Sequence, residues 1–545
     1  MDKTFLSIIT EINSKINGIV WGVPVLVLII ATGVYYTFRL GFFQIRHVGL
    51  VHKNTLGGLF SQKEEGKASS KALSQFQALS TALAATVGTG NIVGVTTAVV
   101  VGGPGAVFWM WISAFFGMMT KFAEITLGLY YRKKNDDGTY RGGTMYSLET
   151  GLAQSRHFAF LARPLGLLFA LFCMFASFGI GNMSQVNSIS DSLNSSFGVP
   201  LVVSGAVLAL ISGLVIIGGI KRIGQVCERL VPFMSLFYIA CTLVIIASNA
   251  KVIPYAFAGI FSNAFRLRAV GGAAAGMLLK NACTMGFKRG VFSNEAGLGS
   301  SVMAHVNSDT AEPVKQGMWG IFEVFVDTII ICTLTALVIL TTTLPSGMVM
   351  TREEMEAAAV STRQTAIVLP EGMTAEGPVY LINNEPADMA DGGMPSFSNV
   401  YEYYRDKNGG FVMEQSNGAS LMNVCFENAL GTWAGKLLSV AIVLFAFSTV
   451  IGWSCYGISS VEYLFPSKWV TSLYRVLYVG ATLIGATMKL GLVWDISDTL
   501  NGLMSIPNLI GLLLMAPTVV ALTDNYIRRI LGREELAPMI SFREN

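Results

Sequence analysis

The sequence predicts an all-α polytopic membrane protein with about eleven transmembrane helices, arranged as a five plus five inverted repeat with an extra N-terminal helix and two broken helices. Of its 545 residues, 52% are hydrophobic and only 13% are charged, whereas a soluble domain is about 25% charged. Long apolar runs recur along the chain, and two of them are interrupted by glycines and asparagines. Interrupted segments at corresponding positions of two halves are typical of an inverted repeat.

Each apolar run of about 20 residues is long enough to cross the hydrocarbon core of a membrane once. An odd number of crossings would place the two termini on opposite sides. The predicted spans lie at roughly 18–38, 75–101, 105–131, 163–187, 199–219, 230–249, 271–300, 317–343, 432–458, 470–489 and 493–522.

Lysines and arginines cluster after spans one, three, five and eleven, and such clusters mark the cytoplasmic side of a membrane. We therefore expect an integral plasma membrane protein, of the bacterial inner-membrane type, with its N-terminus outside and its C-terminus in the cytoplasm. The loop at 250–270 is an exception, because it should be external yet carries Lys251, Arg266 and Arg268. A formal net charge of +3 supplies no basic face for nucleic acid, so membrane lipid is the expected surrounding.

The chain divides into an N-terminal span with its cytoplasmic connection (1–74), a first five-helix repeat (75–249), a second repeat (250–522) and a cytoplasmic tail (523–545). The second repeat contains an acidic polar block at about 345–430, which we expect on the outer face. Its apolar pieces are separated by turns rich in glycine, proline and asparagine. This pattern predicts a few short strands or a folded lid, with strands at 365–369 and 377–382.

The first interrupted span carries the sequence Gly88-Thr89-Gly90-Asn91 at its centre. A helix break at membrane depth is tolerated only where it lines a cavity or holds a ligand. Free amides at the start of the following half-helix suit a carboxylate, to which Thr89 can also donate, and the two glycines allow close approach. A glycine-kinked packing helix is the alternative. A dinucleotide loop is excluded, because no short strand precedes these glycines.

The same break offers ligands for a cation. Carbonyl groups at the end of the preceding half-helix, those of Ala84 and Val87, lie one turn apart and can face a positive ion. In span nine, Ser448 and Thr449 place adjacent hydroxyls that could complete the shell of a small hard cation. Such hydroxyls also commonly bond the carbonyl group four residues earlier, which is the alternative role.

The second interrupted span contains the segment 288–299, and it opens the second repeat as 75–101 opens the first. We interpret it as a re-entering broken helix, the alternative being a cytoplasmic loop. In span four, Asn182 and Gln185 share one face and could either bind substrate or join helices. Trp453, one turn after the paired hydroxyls, could line the site or simply pack.

Charged residues inside the spans narrow the mechanism. Lys121 and Glu124 lie three positions apart and are expected to neutralise each other. Glu323 and Asp327 have no cation nearby in sequence, and either Arg289 or a solvated pathway could compensate them. The histidines are all predicted to lie in loops, which favours sodium over a histidine proton relay; they are His47, His52, His157 and His305.

Three motifs together resemble the alanine or glycine:cation symporter family, typically sodium:alanine symporters. The motifs are 84–94, 286–299 and 448–453, and the resemblance covers nearly all of the chain except the block at 345–430. The resemblance implies the leucine-transporter fold and the coupling of small neutral amino acid uptake, alanine and/or glycine, to sodium as the coupling ion. The block at 345–430 is longer than the external connection usual in that family.

The resemblance also implies roles for individual residues. Thr89 and Gly90 would hold the substrate carboxylate beside Gly88 and Asn91. Gln185 and the backbone near Phe292 and Ser293 would face the amino group. Trp453 with Phe292 would limit the size of the side chain. The sodium ligands would be Ala84, Val87, Ser448 and Thr449.

Other functions remain open at this level. A proton-coupled amino acid transporter could use the buried carboxylates, and an amino-acid-gated ion channel would share the binding site but need a continuous pore. A membrane hydrolase is disfavoured, because the chain contains neither GxSxG nor HExxH. We therefore expect a transporter and not an enzyme.

Overall fold

A computed structural model describes most of the chain, and helices dominate the described part. Backbone groups have no water to bond in hydrocarbon, so a helix, which pairs its own amides and carbonyls, is the natural spanning element. The described residues are 3–59, 72–134, 139–265, 272–344, 349–360, 364–368, 379–380, 400–405, 409–415, 418–488 and 491–541.

The helices of the first half run in chain order as α1 (Lys3–Val20), α2 (Val23–Arg39), α3 (Phe43–Arg46), α4 (Val48–Asn54), α5 (Leu56–Leu59), α6 (Gln75–Thr86), α7 (Val95–Gly102), α8 (Gly105–Tyr130), α9 (Thr144–Ala153), α10 (Ala159–Phe178), α11 (Ser184–Phe197), α12 (Leu201–Ile217), α13 (Gly219–Ser248) and α14 (Ile253–Ala264). Those of the second half are α15 (Gly272–Asn294), α16 (Val302–His305), α17 (Pro313–Val324), α18 (Thr333–Thr341), α19 (Arg352–Ala358), α20 (Gly418–Leu430), α21 (Ala434–Leu464), α22 (Lys468–Thr487), α23 (Gly491–Leu514) and α24 (Ala516–Ile530).

Within the described residues, six helical stretches are long and apolar enough to cross a membrane, and two bent helix pairs raise this number to eight. Each predicted span overlaps a helix, but the number of eleven crossings is not confirmed and several boundaries differ: α13 begins at Gly219 instead of 230, and the helix of the span predicted at 163–187 continues to Phe197. The first span continues a helix that starts at Lys3, with a break at Trp21 and Gly22. The last one bends by 61° between α23 and α24, because Met515 leaves the helix and Pro517 restarts it.

The first helix break lies where the sequence predicts it. Helix α6 begins with a capping box at Ser74 and ends at Thr86, and the chain resumes through a π-helical segment, Gly90–Gly94, that leads into α7. The two half-helices meet at 51°. A π-helical turn inside a membrane helix is frequent at functional sites. The span is therefore interrupted at the predicted residues, and its role in binding stays a prediction.

The second break differs from the prediction, because α15 stays helical through Asn294. The chain then leaves the helix at Glu295, Gly297 and Gly299, which adopt φ angles of 56°, 95° and 74°. Positive φ is easy for glycine and ends the helix there. The short α16 follows, so the break covers roughly 295–301 and not 288–299.

Short strands occur in the polar block, as expected, and in the loop between α8 and α9. Strands β4, β6 and β7 form an antiparallel sheet in the order β4-β6-β7, while β3 pairs with β5 and β1 with β2. The strands are β1 (Lys133–Lys134), β2 (Tyr140–Arg141), β3 (Thr343–Leu344), β4 (Gln364–Ile367), β5 (Val379–Tyr380), β6 (Val400–Arg405) and β7 (Phe411–Gln415).

Helix α20 ends the polar block and was not predicted. It packs against the π-helical segment after the first break and against α7 and α21. Contact is so close that a methyl group added to Gly418 would overlap the carbonyl oxygen of Val93. The block therefore reaches the first break through this helix.

Candidate functional site

The amides of the first break have side-chain partners. The amide of Gly88 donates to Oδ1 of Asn91 over 3.0 Å. Thr89 donates both its hydroxyl, over 2.9 Å, and its amide, over 3.4 Å, to Oε1 of Gln185. The other end of Gln185 donates from Nε2 to the carbonyl of Ile180. The orientation of Gln185 is unambiguous, because a backbone amide can only donate. A carboxamide oxygen thus lies where donors converge.

Asn91 is tied to a buried carboxylate on another helix. Its Nδ2 donates to Oδ1 of Asp327 over 2.6 Å, while Ser293 and Thr328 each donate a hydroxyl to Oδ2 over 2.8 Å. Asp327 is fully buried. It lies in a π-helical segment, Phe325–Cys332, between α17 and α18. Asp327 therefore connects the two interrupted spans, and Arg289 is not its partner as the sequence suggested.

Phe292 and Ser293 occupy the last turn of α15, next to the first break. A methyl group added to Gly90 would lie 3.4 Å from Cδ1 of Phe292 and 3.9 Å from Cα of Ser293. Because both residues are helical, their backbone is not unwound as expected. Ser293 instead contributes its hydroxyl, through Asp327.

Trp453 lies on α21, one turn beyond Thr449, and is 1% exposed. A methyl group on Gly181 would overlap its Cβ, and its ring meets Tyr456 edge to face at 5.2 Å. Gly181 belongs to a third π-helical segment, Gly179–Met183, which leads into Gln185. The indole is therefore fixed against the element that carries Gln185. Asn182 joins two helices, because its Nδ2 donates to the carbonyl of Tyr478 on α22.

The predicted cation ligands come from the end of α6, Ala84 and Val87, and from α21, Ser448 and Thr449, where α21 packs against α6. The hydroxyl of Ser448 donates to the carbonyl of Ala84 over 3.2 Å and to that of Phe445 over 2.7 Å. Thr449 donates to the carbonyl of Phe445 over 3.0 Å, as in the helix-internal alternative, and a methyl group added to Gly88 would overlap its hydroxyl. Both hydroxyls thus form the helix-internal bond considered from the sequence, and their role as cation ligands stays a prediction.

The break releases carbonyl groups from helical pairing. Gly88, the normal donor to the carbonyl of Ala84, donates to Asn91 instead. The backbone amide of Asn91 would normally donate to the carbonyl of Val87, but it donates to the carbonyl of Gly88 over 3.2 Å. The backbone of α21 lies very close to the backbone of α6, since a methyl group added to Gly452 would lie 2.7 Å from the amide nitrogen of Ala85. Neutral oxygen atoms grouped in this way suit a monovalent hard cation.

The predicted pairing of Lys121 with Glu124 was wrong. Lys121 forms its ion pair with Glu323, 3.3 Å from Oε1. Glu124 instead accepts hydrogen bonds from the amides of Gly297 and Gly299 at 3.0 and 3.1 Å, and so holds the second break. Packing of α8 against α17 and α15 brings these partners together.

One histidine is not in a loop as predicted. His305 lies in α16, fully buried, with Nε2 at 3.0 Å from Oε2 of Glu323. Ser308 donates to Oε1 of Gln316, and Nε2 of Gln316 lies 2.8 Å from Nδ1 of His305. His305 thus lies between Gln316 and Glu323 in one buried hydrogen-bonded chain. The described residues contain no group of three or more His, Cys, Asp or Glu that could hold a metal ion.

Asp327 and the role of Glu124 are the functional features that the sequence did not resolve. The available signal was a charged residue inside an apolar span, which normally marks a function or a pairing. Sequence distance concealed the partners, because Asn91 and Asp327 are 236 positions apart.

Comparison with known proteins identifies relatives along nearly the whole chain. The model of the sodium:alanine symporter family matches residues 6–377 and 405–538. A sodium/alanine symporter of Methanococcus maripaludis is 42% identical over 527 residues, covering 96% of this chain and 98% of the relative. A probable sodium/glutamine symporter of Bacillus subtilis is 32% identical, with 96% and 91% covered. A putative sodium/proton-dependent alanine carrier protein of the same organism is also 32% identical, with 94% and 91% covered.

Solved structures are more distant. A manganese transporter from Eremococcus coleocola is 14% identical with a TM-score of 0.43, covering 83% of this chain and 78% of its own. MhsT, solved with L-phenylalanine, is 12% identical with a TM-score of 0.45, covering 84% and 99%. Solved structures this distant support no conclusion about the residues of the site.

The family assignment depends on the sequence relatives, which extend across both helix breaks. The residues matched by the family model include the long apolar helices, so the chain is an integral membrane protein. The chain therefore belongs to the sodium:alanine symporter family, whose members are transporters and not enzymes, and it is a membrane-embedded, cation-coupled amino acid symporter.

Proposed function

We propose that this protein imports a small neutral amino acid, alanine and/or glycine, together with sodium, by alternating access. One observation carries the proposal: hydrogen-bond donors and freed carbonyl groups lie at the same helix break. Thr89 supplies donors on one side, and Ala84 with Ser448 supplies oxygen atoms on the other. A zwitterion and a cation can therefore bind side by side.

The carboxylate of the substrate would take the donors that now serve Gln185. Both donors of Thr89 point at one oxygen atom, and a carboxylate oxygen accepts more strongly than a carboxamide oxygen. Gln185 would then be free to turn toward the amino group. Gly88 and Asn91 hold the backbone of the break in shape, and Gly90 lets the ligand approach.

The size limit would come from two aromatic residues. Phe292 lies against Gly90, and Trp453 is fixed by Gly181. Alanine and glycine differ by one methyl group, worth about 1 kcal/mol in an apolar pocket. A site of this kind would accept both and would exclude larger side chains by overlap.

Sodium would bind at the carbonyls of Ala84 and Val87 and the hydroxyls of Ser448 and Thr449. The ion would hold α6 against α21 and so order the break that binds the carboxylate. Coupling follows, because an ion that stabilises the binding-competent conformation raises the affinity for the amino acid, and the reverse holds equally.

The proposed topology places the N-terminus outside and the C-terminus in the cytoplasm of a bacterial-type plasma membrane. Basic residues after the first, third and fifth spans support it. The β1–β2 hairpin, with Lys133, Lys134 and Arg141, would then lie on the cytoplasmic side. The strands of the polar block would lie outside.

Proton coupling is a second candidate. The buried chain that joins Lys121, Glu323 and His305 could hold a transferable proton, and one relative is named a putative sodium/proton-dependent carrier. An amino-acid-gated channel has no comparable support.

The deciding experiment is uptake of radiolabelled alanine into proteoliposomes with sodium, choline or a pH gradient imposed. We expect accumulation against an alanine gradient in inward sodium gradients. Accumulation driven equally by a pH gradient in choline buffer would favour the proton alternative. Flux that only follows the alanine gradient would indicate a channel.

A further inference from the structure

A cavity of about 650 Å³ lies between α21, α22, the start of α13 and the β1–β2 hairpin. Its wall also includes the residues that follow α16. The hairpin belongs to the face that we propose to be cytoplasmic. The volume lies within the 300–1,000 Å³ that is typical of sites for small molecules.

The cavity runs from the surface toward the centre of the protein. Lys468 at its rim is exposed, Glu462 and Arg475 on its walls are half-buried, and Cys455 at its inner end is 4% exposed. Cys455 lies two residues from Trp453 on the same helix. At 1.5 Å per residue, Glu462 is about 14 Å along α21 from Trp453. Trp453 faces the other side of α21, but Cys455 lies three residues after Gly452, which packs against Ala85 of α6. The cavity therefore follows the face of α21 that packs on α6, and its inner end lies one helical turn from that contact.

Opposite charges face this cavity from two helices without direct pairing. In the described part of the chain, neither Glu462 nor Arg475 forms an ion pair, and Nε of Arg475 is buried without a hydrogen-bond partner. Arg141 and Arg475 both lie close enough to act on the charge of Glu462. Lys468, Thr471, Ser472 and Arg475 place one face of α22 along the wall.

We propose that this cavity is a second, transient binding site for the zwitterionic amino acid on its way out, with Arg475 binding the carboxylate and Glu462 the ammonium group. The inference rests on the import function proposed above. A guanidinium group presents paired donors that match a carboxylate. Charges that are half-buried interact more strongly than exposed ones, because water screens them less.

The charge balance of the cavity argues for an amino acid and against the coupling ion. Its described lining contains Arg141, Lys468 and Arg475 but a single acid, Glu462. Three positive charges against one negative charge repel a cation. A zwitterion has no net charge and satisfies both signs. The cavity would therefore hold the amino acid while sodium leaves.

The test uses Arg475→Gln and Glu462→Gln, which remove the charge from either wall, in proteoliposomes of known orientation. Alanine is added to the cytoplasmic or the external face, and KM is measured on each side by exchange of labelled alanine. We expect KM on the cytoplasmic face to rise at least about fivefold in both variants, the loss of one charge-assisted contact. KM on the external face should stay within a factor of about two.

Controls separate this site from general electrostatics. Lys468→Gln removes one positive charge at the rim, and Arg475→Lys keeps the charge without the paired donors. Lys468→Gln should leave KM on both faces near that of the unaltered protein, while Arg475→Lys should lie between the unaltered protein and Arg475→Gln. Arg475→Gln and Glu462→Gln change different helices, so if one variant does not fold, the other still tests the inference.

The inference is overturned if KM on the cytoplasmic face is unchanged, or if Lys468→Gln raises it as much as the wall variants do. It is also overturned if KM rises equally on both faces, because the residues would then act on the conformational equilibrium. In each of these cases the unaltered protein still shows sodium-driven uptake of alanine. If the unaltered protein showed no sodium-driven uptake, the proposed function itself would be refuted.

Discussion

Asn91 bridges the amide of Gly88 and the carboxylate of Asp327, with 3.0 Å from Gly88 N to Oδ1 and 2.6 Å from Nδ2 to Asp327 Oδ1. One side chain thus ties down the first break and joins it to the π-helical segment that carries Asp327. Its two ends cannot be exchanged, because the amide of Gly88 can only donate.

Asn91→Ala should weaken alanine binding at least tenfold. The substitution leaves the amide of Gly88 and Oδ1 of Asp327 without their partner, and each unsatisfied buried group costs about 1–3 kcal/mol. Equilibrium binding of labelled alanine in sodium buffer measures the change. Asn249→Ala, at a site that bonds only its own helix and Ser248, is the control. Unchanged affinity in Asn91→Ala would remove the bridge from the binding mechanism.

Gly88→Ala should raise the sodium concentration needed for half-maximal uptake. The added methyl group would overlap the hydroxyl of Thr449 and push α21 away from the break. Gly49→Ala is the matched control, since a methyl group there meets no atom within 4 Å. The prediction fails if both variants require the same sodium concentration as the unaltered protein.

The double substitution Ser448→Ala with Thr449→Ala should raise the sodium requirement by tenfold or more, because it removes both proposed side-chain ligands. Sodium titration of alanine uptake gives the measurement. Ser454→Ala is the control on the same helix, where the hydroxyl donates only to the carbonyl of Ile451. An unaltered sodium dependence in the double variant would place the ion elsewhere.

Trp453 and Gly181 should change selectivity in opposite directions. Trp453→Leu enlarges the pocket and should admit larger neutral amino acids. Gly181→Ala pushes the indole inward and should favour glycine over alanine. Competition by a panel of amino acids against labelled alanine measures both effects. If neither variant alters the order of competitors, Trp453 does not line the site.

Lys121→Met should destabilise the protein by about 3–5 kcal/mol, because it leaves Glu323 buried without its cation. Adding Glu323→Gln should restore part of that loss. Thermal unfolding in detergent gives the comparison, with Lys15→Met as an exposed control. Equal melting temperatures for Lys121→Met and the unaltered protein would show that the pair contributes nothing.

The sequence was informative where one short segment determines the structure. Gly88 and Gly90 interrupt an otherwise apolar run, and no partner is needed to infer the break. The sequence predicts the second break too early, because the charged residues Lys288 and Arg289 interrupt the apolar run before Gly297 and Gly299 do. Only these glycines, with Glu295, adopt the positive φ that ends the helix.

Contacts between distant segments could not be read from the sequence. Lys121 and Glu124 look like partners because they share a helix face at a spacing of three. In the folded chain, α17 supplies Glu323 and the second break supplies amides, so each residue finds a different partner. Likewise, the spacing around Asp327 contains nothing that indicates Asn91.

Through α20, which also packs against β3, the contact of Gly418 with Val93 joins the β3–β5 strand pair to the segment that would move during transport. An antibody fragment that clamps the strands could therefore slow turnover without touching any ligand. Conversely, a fluorophore attached to this strand pair would report each reorientation from outside the membrane.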